Sequence, residues 1–208
     1  EVDAYIKRNP DVMNCLGKGV INLSALSRQI MKDLKISNFN AVEAALKRIS
    51  VTSEEKNYED VLSKSSIETY TNVSVFIMKP KNENLKLAIN IIDKMMMNYS
   101  RFRIIQGIQG AAVVTNDNEA EKILRLIPKG EIVEIYRGVS EIAITSPISI
   151  TFTRGYVAHI SSLLAGNGIN VMQIVSFYTD VTYILSIEDM PKAFQVIMNE
   201  ISRINAKK

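Results

Sequence analysis

The sequence predicts an α+β protein: a small N-terminal helical module followed by two copies of a strand–helix–strand–strand–helix unit. Three observations carry this reading. Before Ser65 the apolar residues recur at helical spacing. After it they alternate as in strands and give way to one-faced helices. The second such stretch then repeats the element order and spacing of the first.

In "NLSALSRQIMKDL", Leu23, Leu26, Ile30 and Leu34 keep helical spacing, with Asn22 available as a cap. In "NFNAVEAALKRI", Val42, Ala45, Leu46 and Ile49 do the same, with Asn40 expected as the cap. The short "KISNFN" between them is rich in turn formers. Upstream, the pattern predicts one helix broken near Pro10 and a second stopped at Gly17. The polar "TSEEKNYEDVLSKSS" reads as a tethering helix or linker anchored by Tyr58, Val61 and Leu62.

Beyond it, "NVSVFIM" puts Val73, Val75 and Ile77 on one face, and "AAVVT" is a short apolar strand. "NEAEKILRLI" then spaces Ala120, Ile123, Leu124 and Ile127 as a helix. In the second copy "PISITFT" alternates Ile148, Ile150 and Phe152 against polar neighbours and reads as the opening strand. "VTYILSI" alternates likewise. "DMPKAFQVIMNEISRI" is a long one-faced helix opened by Asp189 and Pro191. The copies align at an offset of 75 early (Asn72 onto Pro147) and of 70 later (Ala111 onto Val181, Glu119 onto Asp189). "SIETY" and "SEIAIT" read as extra hairpin strands ahead of each unit, filling a sheet edge that an open strand would expose to aggregation. "EIVEIYR" is a further strand that closes the first sheet or bridges the two. The expected domains are 1–64, 65–137 and 138–208.

Composition narrows the function. One Cys and one His in 208 residues exclude a Cys/His metal cluster within one chain and any intrachain disulfide. No Gly-rich phosphate loop occurs. His159 lies in an apolar helical pattern and reads as a structural histidine. No catalytic constellation, metal or cofactor is expected. No run approaches membrane-spanning length, and the first residues lack the blocks of a signal peptide, so a cytoplasmic protein is expected. The formal charge of +3 lies wholly in residues 1–50, where eight Lys/Arg face five acids; the remainder carries 17 of each sign.

The stretch "ISITFTRGYVAHISSLLAGNGINVMQI" and the βαββα order resemble the ACT domain, especially the paired aspartokinase type. The matching residues are Thr153-Arg154-Gly155-Tyr156, the helix from Val157, and Gly168-Ile169-Asn170-Val171 opening the next strand. "VINLSALSRQIMKDL" is similar to the N-terminal segment of archaeal ACT-domain proteins described as regulators of amino-acid metabolism. The resemblance implies tandem ferredoxin-like domains, a non-catalytic role sensing a small amino-acid effector, a homodimer, and a biosynthetic enzyme as possible client. It implies backbone contacts to the ligand from residues 153–157 and 168–171. Asn170 offers an acceptor and two donors, and Gly155 lets amides approach a carboxylate. Gly-Ile-Asn after a helix is equally a plain helix-to-strand turn. The first copy reads "NYSRFRI" where the second reads "GNGINV", and is expected to be a structural partner or a degenerate site. Its "KMMMNY" is expected to be pliable packing.

The two helices around the tight turn also resemble a helix-turn-helix. Arg28, Lys32 and Lys35 would then meet phosphates, with Asn38, Asn40, Lys47 and Arg48 on or near the reading helix. The alternative is a docking module with solvated charges, and Glu43 on the reading helix counts against tight groove entry.

Overall fold

The computed structural model describes residues 1–51, 57–84, 86, 87, 89, 90 and 101–207. It divides into two compact units, Glu1–Lys56 and Asn57–Lys208.

The described residues of the first unit form four helices: α1 (Val2–Lys7), α2 (Pro10–Gly17), α3 (Leu23–Leu34) and α4 (Phe39–Val51). Pro10 opens α2, where its missing N–H costs nothing. Asn22 caps α3, its side chain accepting from the Ala25 amide at 3.0 Å. Asn40 is not the cap of α4. Asn38 takes that place, its Oδ1 accepting from the Ala41 amide at 3.1 Å, because the chain enters the helix two residues earlier than the apolar spacing shows. Ile6, Leu16, Leu26, Ile30, Val42 and Leu46 form the core.

The second unit begins with α5 (Asn57–Ser63), whose Val61 and Leu62 are buried as anchors. The other elements are β1 (Ser66–Met78), β2 (Phe102–Gln106), β3 (Ala111–Asn116), α6 (Asp117–Leu124), β4 (Ile132–Thr145), α7 (Tyr156–Gly166), β5 (Val171–Phe177), β6 (Asp180–Ser186) and α8 (Met190–Asn205). Residues 82–84, 86, 87, 89 and 90 are helical, and the "KMMMNY" run lies outside the described residues. The strands form a single antiparallel sheet in the order β2-β3-β1-β4-β6-β5.

The two long central strands explain the architecture. The end of β1 pairs with β3 and with the start of β4, while the start of β1 pairs with the end of β4. Each ferredoxin-like half therefore has four neighbouring strand segments, β2-β3-β1-β4 and β5-β6-β4-β1, and each borrows its fourth segment from the other's opening strand. Register shifts fall at 71–72 in β1 and 137–138 in β4, where Asn72 (φ 55°) and Gly138 (φ 60°) take left-handed conformations. "EIVEIYR" thus both closes the first half and runs into the second.

Three expectations fail here. "SIETY" is no separate hairpin strand; it is continuous with "NVSVFIM" across the bulge. "SEIAIT" is itself the opening strand of the second half, and the edge it was expected to fill is filled by "SIETY". "PISITFT" is not a strand, for Ile148–Phe152 is a 3-10 turn. Pro147 starts it, Ile150 donates back to the Pro147 carbonyl (2.9 Å), and the Thr151 and Thr153 hydroxyls bond the carbonyls of Ile148 and Ser149. Such local bonds compete with a ladder. Ile148 and Phe152 are left exposed. The early offset of 75 falls with it. Val73 pairs with Asn116 and Val139 with Ser186, so the first strands match at 66 while the later offset of 70 stands.

The helices cover one sheet face. Ile142, Ile144, Val181, Tyr183 and Leu185 pack under α5, α7 and α8, and Phe76, Met78 and Val113 under α6. The other face carries a smaller cluster of Val73, Val75, Val114, Val139 and Ile184.

Candidate functional site

The corner singled out in the sequence is built as a helix start and a helix stop. Gly155 (φ 78°) precedes α7 and Gly168 (φ 72°) follows it; an added Cβ would meet nothing at either, so only the backbone angle asks for glycine. The Gly168 and Ile169 amides donate to the carbonyls of Ala165 and Leu164, closing the helix end. Lys192 Nζ donates to the Asn167 carbonyl at the negative end of the helix.

The side chains of this corner divide. Tyr156 is buried at 2% exposure, its hydroxyl 2.8 Å from Ser146 Oγ and 3.2 Å from Ser65 Oγ. Burial pushes its phenol up, and the two serine hydroxyls offset part of that. Ile169 is buried in the same core, and Val157 and Val171 pack against it. The Thr153 hydroxyl is taken by the Ser149 carbonyl. Arg154 and Asn170 are exposed. Asn170 lines a cavity of about 280 Å³ on the sheet face away from the helices, with Val75, Tyr136, Met172, Gln173 and Ile184; that lining takes nothing from residues 153–157.

A second cavity, of about 210 Å³, occupies the matching place in the other half of the sheet. Its lining includes Tyr70, Arg101, Arg103, Val114 and Glu141. The pairing registers superpose the two: Tyr70 on Tyr136, Glu141 on Val75, Arg103 on Gln173 and Val114 on Ile184. Arg101, just ahead of β2, falls on Asn170, just ahead of β5, because β5 bulges at Met172.

The second cavity is charged where the first is neutral. Glu141 is 2% exposed, and its Oε1 receives Arg101 at 2.5 Å and Arg103 at 2.7 Å. The Arg101 guanidinium also lies 3.3 Å over the Tyr70 ring. Burial lowers the Arg101 pKa, while Glu141 works in the opposite direction. Arg101 and Arg103 stand in "NYSRFRI", where the first copy departs from the second, but their meeting with Glu141 is not marked in the sequence. Arg101-Phe102-Arg103 alternates at the strand period, which puts both cations on one face. Glu141 stands in an apolar stretch of β4, paired with Tyr70 of β1 and Ile184 of β6.

His159 is half-buried between α8 and α5. Its Nε2 lies 2.8 Å from Glu200 and its ring stacks on Tyr58 with centroids 4.3 Å apart. Arg203 links Glu200 to Glu59, tying α5, α7 and α8 together. Bonding to Arg203 first, then to His159, holds the Glu200 carboxyl down at about 2 against burial.

In the first unit Lys35 (φ 54°) begins a four-residue turn between α3 and α4. Arg28, Lys32, Lys35, Asn38, Asn40, Lys47 and Arg48 are all exposed. Glu43 pairs with Lys47 at 2.9 Å and accepts from Ser24 at 3.1 Å. These two partners, Lys47 first, hold its carboxyl below the usual range.

No protein-family model matches the sequence, and neither does any curated protein. Solved structures do. The chain is similar to the aspartate kinase of Clostridium acetobutylicum (TM-score 0.53, 19% identity, 65% of this chain and 34% of that one). It is also similar to the aspartate kinase of Synechocystis (0.53, 16%, 67% and 27%). The regulatory subunit of aspartate kinase from Thermus flavus matches as well (0.52, 13%, 67% and 98%). The chain thus spans about a third of the Clostridium enzyme and nearly all of that regulatory subunit. Over about two thirds of the chain the fold is that of the regulatory subunit of aspartate kinase. Among the described residues, no helix is long and apolar enough to cross a membrane.

Proposed function

We propose that this chain is a non-catalytic, cytoplasmic regulatory protein of amino-acid metabolism that senses a small amino acid through its paired ACT-type sheet. The observation that supports the reading is the fold of the sheet unit, whose likeness to a regulatory subunit of aspartate kinase covers 98% of that chain. A homodimer is the working assembly, consistent with exposed apolar side chains such as Ile108 and Ile174, and a biosynthetic enzyme is the client. Thermal melts against each standard amino acid test it. An effector at a hundred times its dissociation constant adds about 2.7 kcal/mol of stability. A well-folded sample that no amino acid stabilises would leave a scaffold role instead.

A second reading is favoured by the α3–α4 pair, whose tight turn and exposed cations suit DNA. An amino-acid-responsive transcriptional regulator predicts retention on DNA that falls with salt and weakens in Arg28→Ala/Lys32→Ala. Retention unchanged by that double substitution goes against it.

A further inference from the structure

The sheet holds the same cavity twice, but only one version carries charge. The neutral version shows that this fold fills the position with Val75, Gln173 and Asn170 and needs no ions there. Packing therefore does not demand Glu141, Arg103 and Arg101, and a buried ion cluster is seldom the most stable filling of such a place. Among the described residues, the two guanidiniums meet one buried carboxylate; the other nearby acid, Glu68, accepts from the Tyr70 hydroxyl, favours the Arg101 cation and is exposed to solvent. Each guanidinium has five N–H donors, and the shortest contact to Glu141 uses one terminal nitrogen of each, both on Oε1.

We propose that the Arg101–Arg103–Glu141 cavity is a ligand site for a small carboxylate, the two arginines holding the carboxylate in the geometry that guanidinium favours. Glu141 presets the forks and offers its carboxylate to any ammonium on the same ligand. The proposal rests on the sensing reading for its choice of amino acids as first candidates, but its chemistry requires only the carboxylate. Four- and five-carbon dicarboxylates with and without an amino group (aspartate, glutamate, succinate, glutarate) are the probes. The amino acids are favoured if the Glu141 contact counts, and the plain diacids bind equally if it does not.

The test converts the charged cavity into its neutral counterpart in the full chain: Arg101→Asn, Arg103→Gln and Glu141→Val together. Thermal melts with each probe, at ionic strength matched with sodium chloride, give apparent dissociation constants. The triple variant should fold, since its side chains are those the same sheet carries at the equivalent positions. It should bind the stabilising probe at least tenfold more weakly than the parent. A parent stabilised by no probe, or a probe that binds parent and variant alike, overturns the site. An amino acid that binds both alike leaves sensing intact and removes only this cavity. A diacid that binds through the cavity while no amino acid binds anywhere keeps the site and removes amino-acid sensing. If the triple variant does not fold, Arg103→Gln alone carries the same comparison, with the same tenfold weakening expected.

Discussion

The Arg101 and Asn170 cavities are the same backbone construction filled in two ways, and the difference separates what the fold needs from what it merely permits. Both have a tyrosine at the equivalent place and a branched apolar residue as floor. One adds an ion cluster, the other neutral amides and a valine. The fold supplies the shape; the charges are an addition that folding alone does not explain.

The largest expected effect breaks that comparison outright. Glu141→Ala leaves two neighbouring guanidiniums without their buried counter-ion and should cost about 3–5 kcal/mol by urea unfolding. The triple conversion should stay within about 1 kcal/mol of the parent, because a buried ion cluster exchanged for well-packed neutral groups is close to neutral. A triple variant as damaged as Glu141→Ala would mean that the two halves are not equivalent.

Next in size is the acid limb of the helix layer in the second half, where Glu200 is held by Arg203 and His159. The Glu200 carboxyl lies at about 2 in the fold, below its ordinary 4.5. Its stabilisation is complete above pH 4.5 and is lost as pH falls toward 2. Glu200→Gln should remove about 2 kcal/mol at neutral pH and flatten the stability profile below pH 4.5, measured by urea unfolding across pH.

Smallest is the bulge pair. Gly138 and Asn72 hold the same left-handed conformation in β4 and β1. Gly138→Asn should therefore cost less than about 0.5 kcal/mol, whereas Gly138→Val should cost about 1–2 kcal/mol. Thermal melts resolve the two. Equal losses would show that Gly138 is held by something other than its backbone angle.

Much of the fold was legible because it rests on local chemistry. The Asn22 cap, the Pro10 break, the anchors of α5 and the one-faced α8 all follow from short-range pattern. What failed was longer-ranged. Period-two alternation says that a segment can be a strand, not which neighbour it joins, so the exchange between β1 and β4 left no local mark. "PISITFT" alternates as well as any true strand, yet its proline and back-bonding threonines close it into a turn. The misplaced cap at Asn40 instead of Asn38 is a boundary error of the same kind. For the site, the glycine corner that offers backbone groups to a ligand is legible in the sequence, while the burial of its Tyr156 and Ile169 side chains in the core is not. Arg101, Arg103 and Glu141 lie on elements from different parts of the chain and meet only when strand order is known.

β1 lends Tyr70 to one cavity and Val75 to the other, while β4 lends Glu141 and Tyr136 in mirrored fashion. A shift of either strand along its length is thus felt in both cavities at once, with no intervening packing to relay it. The halves are mechanically inseparable as well, since severing the chain between them would leave each fragment one ribbon short.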